Sequence, residues 1–152
     1  MSFDVLHGAR RPALAEAIAA ETSIDDSMIE VLVGRFYEKV WADGLLGPVF
    51  ETRIRDWNLK RMRDFWSSVA LMTGRYHGTP MAKLLPLPVD AEHFDRWLAL
   101  FAETAWEICP TKAADHFIER ALRIAESLEI GIAGANGVLL AKGRRYRSSA
   151  SA

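Results

Sequence analysis

Residues 56–88, DWNLKRMRDFWSSVALMTGRYHGTPMAKLLPLP, decide how this chain is read. Met62, Phe65, Trp66, Val69 and Thr73 recur at three- and four-residue steps, with Lys60, Arg61, Arg63 and Asp64 between them. That spacing predicts an amphipathic helix with one broad apolar face. Gly74 stands where a left-handed cap would end it, and Gly78, Pro80, Pro86 and Pro88 deny any long regular element before residue 89. An aromatic helix therefore runs into a stiff, turn-rich loop.

Upstream, Thr22 and Ser23 are each followed three residues later by an acid, the mark of a capped helix start. Ile29, Leu32, Val33, Phe36, Val40 and Trp41 form an apolar stripe, so a helix is expected over 26–42. Gly44, Gly47 and Pro48 break it, and LLGPVF at 45–50 reads as an apolar turn that carries Phe50 away from water or onto a ligand. Residues 1–24 read as a loosely attached extension in which Pro12 opens a short helix at Ala13–Ala20. Downstream, Asp90 caps a helix with the stripe Phe94, Trp97, Leu98, Phe101 and Ala105, which stops before Pro110. Thr111 is expected to cap a last helix, with Phe117, Ile118, Ala121, Leu122, Ala125 and Leu128 facing inward and Gly131 closing it. No alternating strand pattern and no internal repeat is present, and the chain reads as all-α, about five helices.

The 152 residues amount to one domain, long enough to bury roughly 68–70% of the surface of the unfolded chain. Half the residues are apolar and 26% charged, and no run approaches the ~20 apolar residues of a membrane span. Asp4, Pro12 and Glu16 argue against a signal peptide, so a cytoplasmic location is expected. Cys109 is the only cysteine, which excludes an internal disulfide and a cysteine cluster for metal, and reads as a small buried hydrophobe. The net charge of −1 hides a basic end: Lys142, Arg144, Arg145 and Arg147 lie in residues 132–152 without an acid, the composition of a flexible, solvated tail. No aromatic or groove-reading element accompanies these charges, so neither nucleic acid nor membrane is an expected partner.

Enzyme constellations are absent: there is no glycine-rich phosphate loop, no HExxH and no GxSxG. His7, His77, His93 and His116 are scattered, which suits surface or cap roles. The aromatic load is the unusual feature. Phe36, Tyr37, Phe50, Phe65, Trp66, Trp97 and Phe101 fall on the apolar sides of three helices and one turn, and can converge either as an aromatic core or as the wall around a flat apolar ligand. Tyr37 bears on the choice, because a buried hydroxyl without a partner costs about 1–3 kcal/mol.

These segments resemble the truncated haemoglobins, and within them the third group. The resemblance is carried by FYEKV at 36–40, LLGPVF at 45–50, DFWSSV at 64–69, TGRYHGTPM at 73–81, LPLP at 85–88 and HFDRWLALF at 93–101. It implies a truncated globin domain over residues 25–131, with helices crossing at large angles around a haem, and binding of dioxygen or another diatomic gas at the iron. By position, Tyr37 resembles the distal tyrosine that donates to the iron-bound ligand. Phe36, Phe50, Met62, Trp66 and Trp97 resemble pocket walls, and Trp97 would also offer its indole N–H on the distal side. Catalysis is not implied; peroxidase-like or nitric-oxide dioxygenase turnover would be the work of a bound haem.

The sequence departs from the family at both haem-facing histidines. Leu84 occupies the place of the proximal iron ligand, four residues after Pro80. Trp57 and Phe65 are eight apart, two short of the family spacing, and the distal position falls on Asn58. His77 and His93 are then the remaining candidates for the iron. The alternative is a haem-free globin, natural or engineered, whose pocket is refilled around Leu84 and which serves as a sensing or protein-binding module.

Overall fold

The computed structural model describes residues 3–53, 59–71, 88–141 and 143–147, and among these every regular element is an α-helix. α1 spans Phe3–Thr22, α2 Asp26–Ala42, α3 Gly47–Arg53, α4 Leu59–Leu71, α5 Ala91–Ile108 and α6 Thr111–Ala135. Asn58, His77 and Leu84 lie outside the described residues.

α2 has the expected bounds but a different cap. The Asp25 carboxylate accepts from the Met28 N–H at 2.8 Å, whereas Thr22 turns back and donates to the Ile18 carbonyl at 2.6 Å, closing α1. A carboxylate at the N-cap also favours the positive end of the helix dipole. Ile29, Leu32, Val33, Phe36 and Val40 are buried as the stripe predicts, while Trp41 rolls to the edge and is 40% exposed. α1 begins ten residues before the expected Ala13 and passes through Pro12. LLGPVF is not merely a turn, because α3 starts within it, with Pro48 at its second residue where a missing N–H costs nothing. Asp43 prepares that start: its Oδ2 accepts from the Leu45 and Leu46 amides at 3.1 and 3.0 Å. Its Oδ1 receives the Arg96 guanidinium of α5 at 2.6 Å.

Asp90 caps α5 as expected, and His93 completes a capping box. α6 is preceded by Pro110, not capped by Thr111, which is its first residue. It also passes through Gly131, an interruption worth only about 1 kcal/mol in a long helix, and ends where the Asn136 side chain donates to the Ile132 carbonyl at 2.8 Å. Leu122 is 51% exposed and does not belong to the inward stripe. α5 packs most extensively on α6, α2 packs on α3, α4 and α5, and α1 and α4 both contact α6. His116 of α6 donates through Nε2 to the Ala70 carbonyl at 2.7 Å, tying α6 to the last turn of α4.

Cys109 is buried between α5 and α6, and burial pushes its thiol up to about 11, which keeps it protonated and inert at neutral pH. Residues 143–147 do not behave as a solvated tail. Tyr146 is buried, and Arg145 pairs with Glu129 of α6 and Asp95 of α5, each at 2.8 Å. Among the described residues, no helix is long and apolar enough to cross a membrane.

Candidate functional site

The apolar faces of α2, α4, α5 and α6 do not close completely on one another. Between them lies a cavity of about 90 Å³, several times the ~10–15 Å³ one water needs, yet lined almost wholly by carbon. Tyr37 enters from α2, Leu46 and Phe50 from the α2–α3 corner, Met62, Phe65 and Trp66 from α4, Trp97 from α5, and Leu128 from α6. Such walls give water few partners, so an apolar guest is favoured.

Of the residues expected to form a site, Tyr37, Phe50, Met62, Trp66 and Trp97 line this one cavity. Phe36 does not reach it. It stands behind the wall, edge-on to Trp97 at 5.6 Å and to Phe101 at 5.2 Å between centroids. Trp66 lies almost flat on Phe101, at 4.6 Å and 16°. Trp97 is 14° from the Phe101 plane. Offset stacks and edge contacts of this kind are each worth about 0.5–1.5 kcal/mol beyond burial, so the wall is held rigidly. The aromatic residues are thus partly core and partly cavity wall, which reconciles the two readings of their clustering.

Tyr37 is the polar exception. The residue is 6% exposed, and its hydroxyl has no hydrogen-bond partner among the described residues. Burial pushes its pKa up to about 12, so the oxygen keeps its proton and acts as a donor, not as a phenolate ligand for iron. A protein helix that carries such a group into an apolar cavity bears the cost of an unmade hydrogen bond unless a guest supplies the acceptor.

His93 also lines the cavity. Its Nδ1 accepts from the Asp90 amide at 3.2 Å and lies 3.3 Å from the Asp90 carboxylate. Both contacts use Nδ1, so among the described residues Nε2 is the ring nitrogen left to meet a guest. Among the described residues no group of three His, Cys, Asp or Glu could hold a metal ion. Sequence reading also overlooked part of the wall, namely Leu46, Val89, Phe94, Ile124 and Ile132. Ile124, Leu128 and Ile132 follow one another at four-residue steps along α6, a signal that was present but was cut short by ending the helix at Gly131.

The helical order and the aromatic cavity define a globin. No family model matches the chain. The group 3 truncated haemoglobin ctb of Campylobacter jejuni is 32% identical over 114 residues, covering 70% of this chain and 90% of that protein. The group 2 truncated haemoglobin YjbI of Bacillus subtilis is 30% identical over 99 residues, 62% of this chain and 67% of that protein. The crystal structure of the group III truncated haemoglobin from Campylobacter jejuni superposes with a TM-score of 0.64 at 30% identity, covering 80% of this chain and 96% of that one. The chain belongs to the group 3 truncated haemoglobins.

Proposed function

We propose that the cavity is a haem pocket whose guest carries a diatomic gas ligand, and that Tyr37 is the donor to that ligand. The observation that carries this reading is the Tyr37 hydroxyl, buried, protonated and without a partner among the described residues, at the wall of an apolar cavity. Walls of flat aromatic rings suit a flat apolar macrocycle, and one lone hydroxyl suits one small polar ligand on it. Haem, when bound, supplies the iron at which such a gas coordinates.

The remaining roles belong to the chain. Trp66, Trp97 and Met62 provide apolar surface and exclude water. Tyr37 holds its proton at Oη and offers it to the ligand, and Trp97 brings a second donor, its indole N–H, to the same cavity. Among the described wall residues, His93 Nε2 could serve iron only in the tautomer whose Nδ1–H donates to the Asp90 carboxylate and no longer accepts from the Asp90 amide. No enzymatic turnover is proposed.

A second reading has its own observation. Leu84 stands where the resemblance expects the proximal histidine, and a leucine there turns an iron ligand into a packing group. On this reading the protein is a haem-free globin that senses or binds another protein. Titrating haemin into the purified apoprotein separates the two. A saturable one-to-one Soret band, narrowed on reduction, supports the haem pocket; a broad, unsaturable signal rejects it and leaves the haem-free globin.

A further inference from the structure

The C-terminal segment 143–147 is bound to the two helices whose other side chains line the cavity. On α5, the Ala91 amide donates to the Tyr146 carbonyl at 2.8 Å. The Ala91 carbonyl accepts from Arg145 Nη2 at 3.3 Å, and Asp95 accepts from the same nitrogen at 2.8 Å. On α6, Glu129 accepts from Arg145 through both carboxylate oxygens, Nε to Oε2 at 2.8 Å and Nη2 to Oε1 at 2.8 Å. Interleaved with these anchors are cavity residues: Val89, His93 and Phe94 beside Ala91 and Asp95, and Leu128 and Ile132 beside Glu129.

One guanidinium thus bridges the start of α5 to the last third of α6, directly behind the wall. A fork that meets a carboxylate with two donors fixes distance and angle together, which a single ammonium cannot do. The residue it grips is also costly to leave alone, since Glu129 is 6% exposed and Arg145 is the cation it pairs with. We infer that residues 143–147 brace the ligand cavity from behind, with Arg145 as the positioning residue that sets the α5–α6 spacing and so how long the cavity retains its guest. The part that concerns the guest rests on the haem-pocket reading; the brace itself does not.

The test uses the full chain in three variants: Arg145→Met, the double variant Glu129→Met/Arg145→Met, and Arg123→Met as a control that removes only an exposed pair with Glu119. Hydrogen exchange is read over residues 89–97 and 124–133 and compared with 29–40 of α2, and haemin release into excess apomyoglobin is timed alongside. Arg145→Met should speed exchange by about tenfold in the first two segments and not in the third, and speed haemin release by a similar factor. The double variant should restore most of both, because the buried lone carboxylate is gone. Arg123→Met should change neither. Exchange that rises equally in all segments, or in none, overturns the brace. Local loosening with unchanged haemin release overturns its link to the guest. Wild-type protein that takes up no haemin sinks the pocket reading, while the exchange data still decide the brace.

Discussion

Trp66 on α4 and Trp97 on α5 face the same cavity with their ring planes only 19° apart and their centroids at 6.3 Å. Two helices far apart in sequence therefore share one stack of near-parallel rings, to which Phe101 adds a third. The same cavity is lined by Tyr37, whose hydroxyl has no partner among the described residues.

Replacing Tyr37 by Phe removes a buried donor that has no partner among the described residues. The apoprotein should gain up to about 1 kcal/mol, seen as a melting temperature about 2–4 °C higher. In the haem-loaded protein the same change should shorten the residence of bound dioxygen by about tenfold or more, the worth of one hydrogen bond. A fall in apoprotein stability would mean that the hydroxyl has a partner after all.

The same group should titrate late. Its folded pKa of about 12 lies above the ordinary value of 10.0, so between those limits the unfolded chain loses the proton first. The contribution to stability is complete below pH 10 and is lost as pH rises towards 12. Absorbance near 295 nm should show one tyrosine with a midpoint near 12, missing from Tyr37→Phe. A wild-type protein whose tyrosines all ionise near pH 10 while still folded contradicts the burial argument.

Histidine at position 84 tests whether the pocket has merely lost its ligand. Leu84→His should take up haemin one-to-one with a sharp Soret band, because an added iron ligand offsets the cost of opening a cavity of about 90 Å³ between apolar walls. Failure of the variant to load would show that the cavity cannot open far enough to admit a haem.

Gly47→Ala probes the corner that aims Phe50. A Cβ at residue 47 would lie 2.7 Å from the Trp41 carbonyl oxygen, a backbone atom that cannot swing aside. Overpacking of this kind costs about 1–3 kcal/mol, and the melting temperature should fall by several degrees. An unchanged melting curve would mean that α3 shifts freely, and that Asp43 does not hold it.

Much of this architecture was legible because its signals are local. The stripe from Ile29 to Val40 gave α2 its bounds, Asp90 announced α5, and the aromatic steps of α4 foretold a wall. What escaped was decided by tertiary contact. Gly131 and Pro12 look like breaks, yet their helices continue through them, since packing outweighs a propensity cost of about 1 kcal/mol for glycine. Thr22 and Asp25 are both good cap residues, and local composition does not choose between them. Arg145 looked like one more tail charge because its partners, Glu129 and Asp95, are 16 and 50 residues away in the chain. The Tyr37 donor was visible as a residue, but its isolation is a property of four helices together.

The two-residue joint Cys109–Pro110 between α5 and α6 has a consequence in time as well as in space. Neighbours in sequence that pack on each other close only a short loop, so their contacts form at little entropic cost and early in folding. The route of least entropic cost therefore brings Trp97, Leu128 and Ile132 together before α2 adds Tyr37 from the more distant part of the chain.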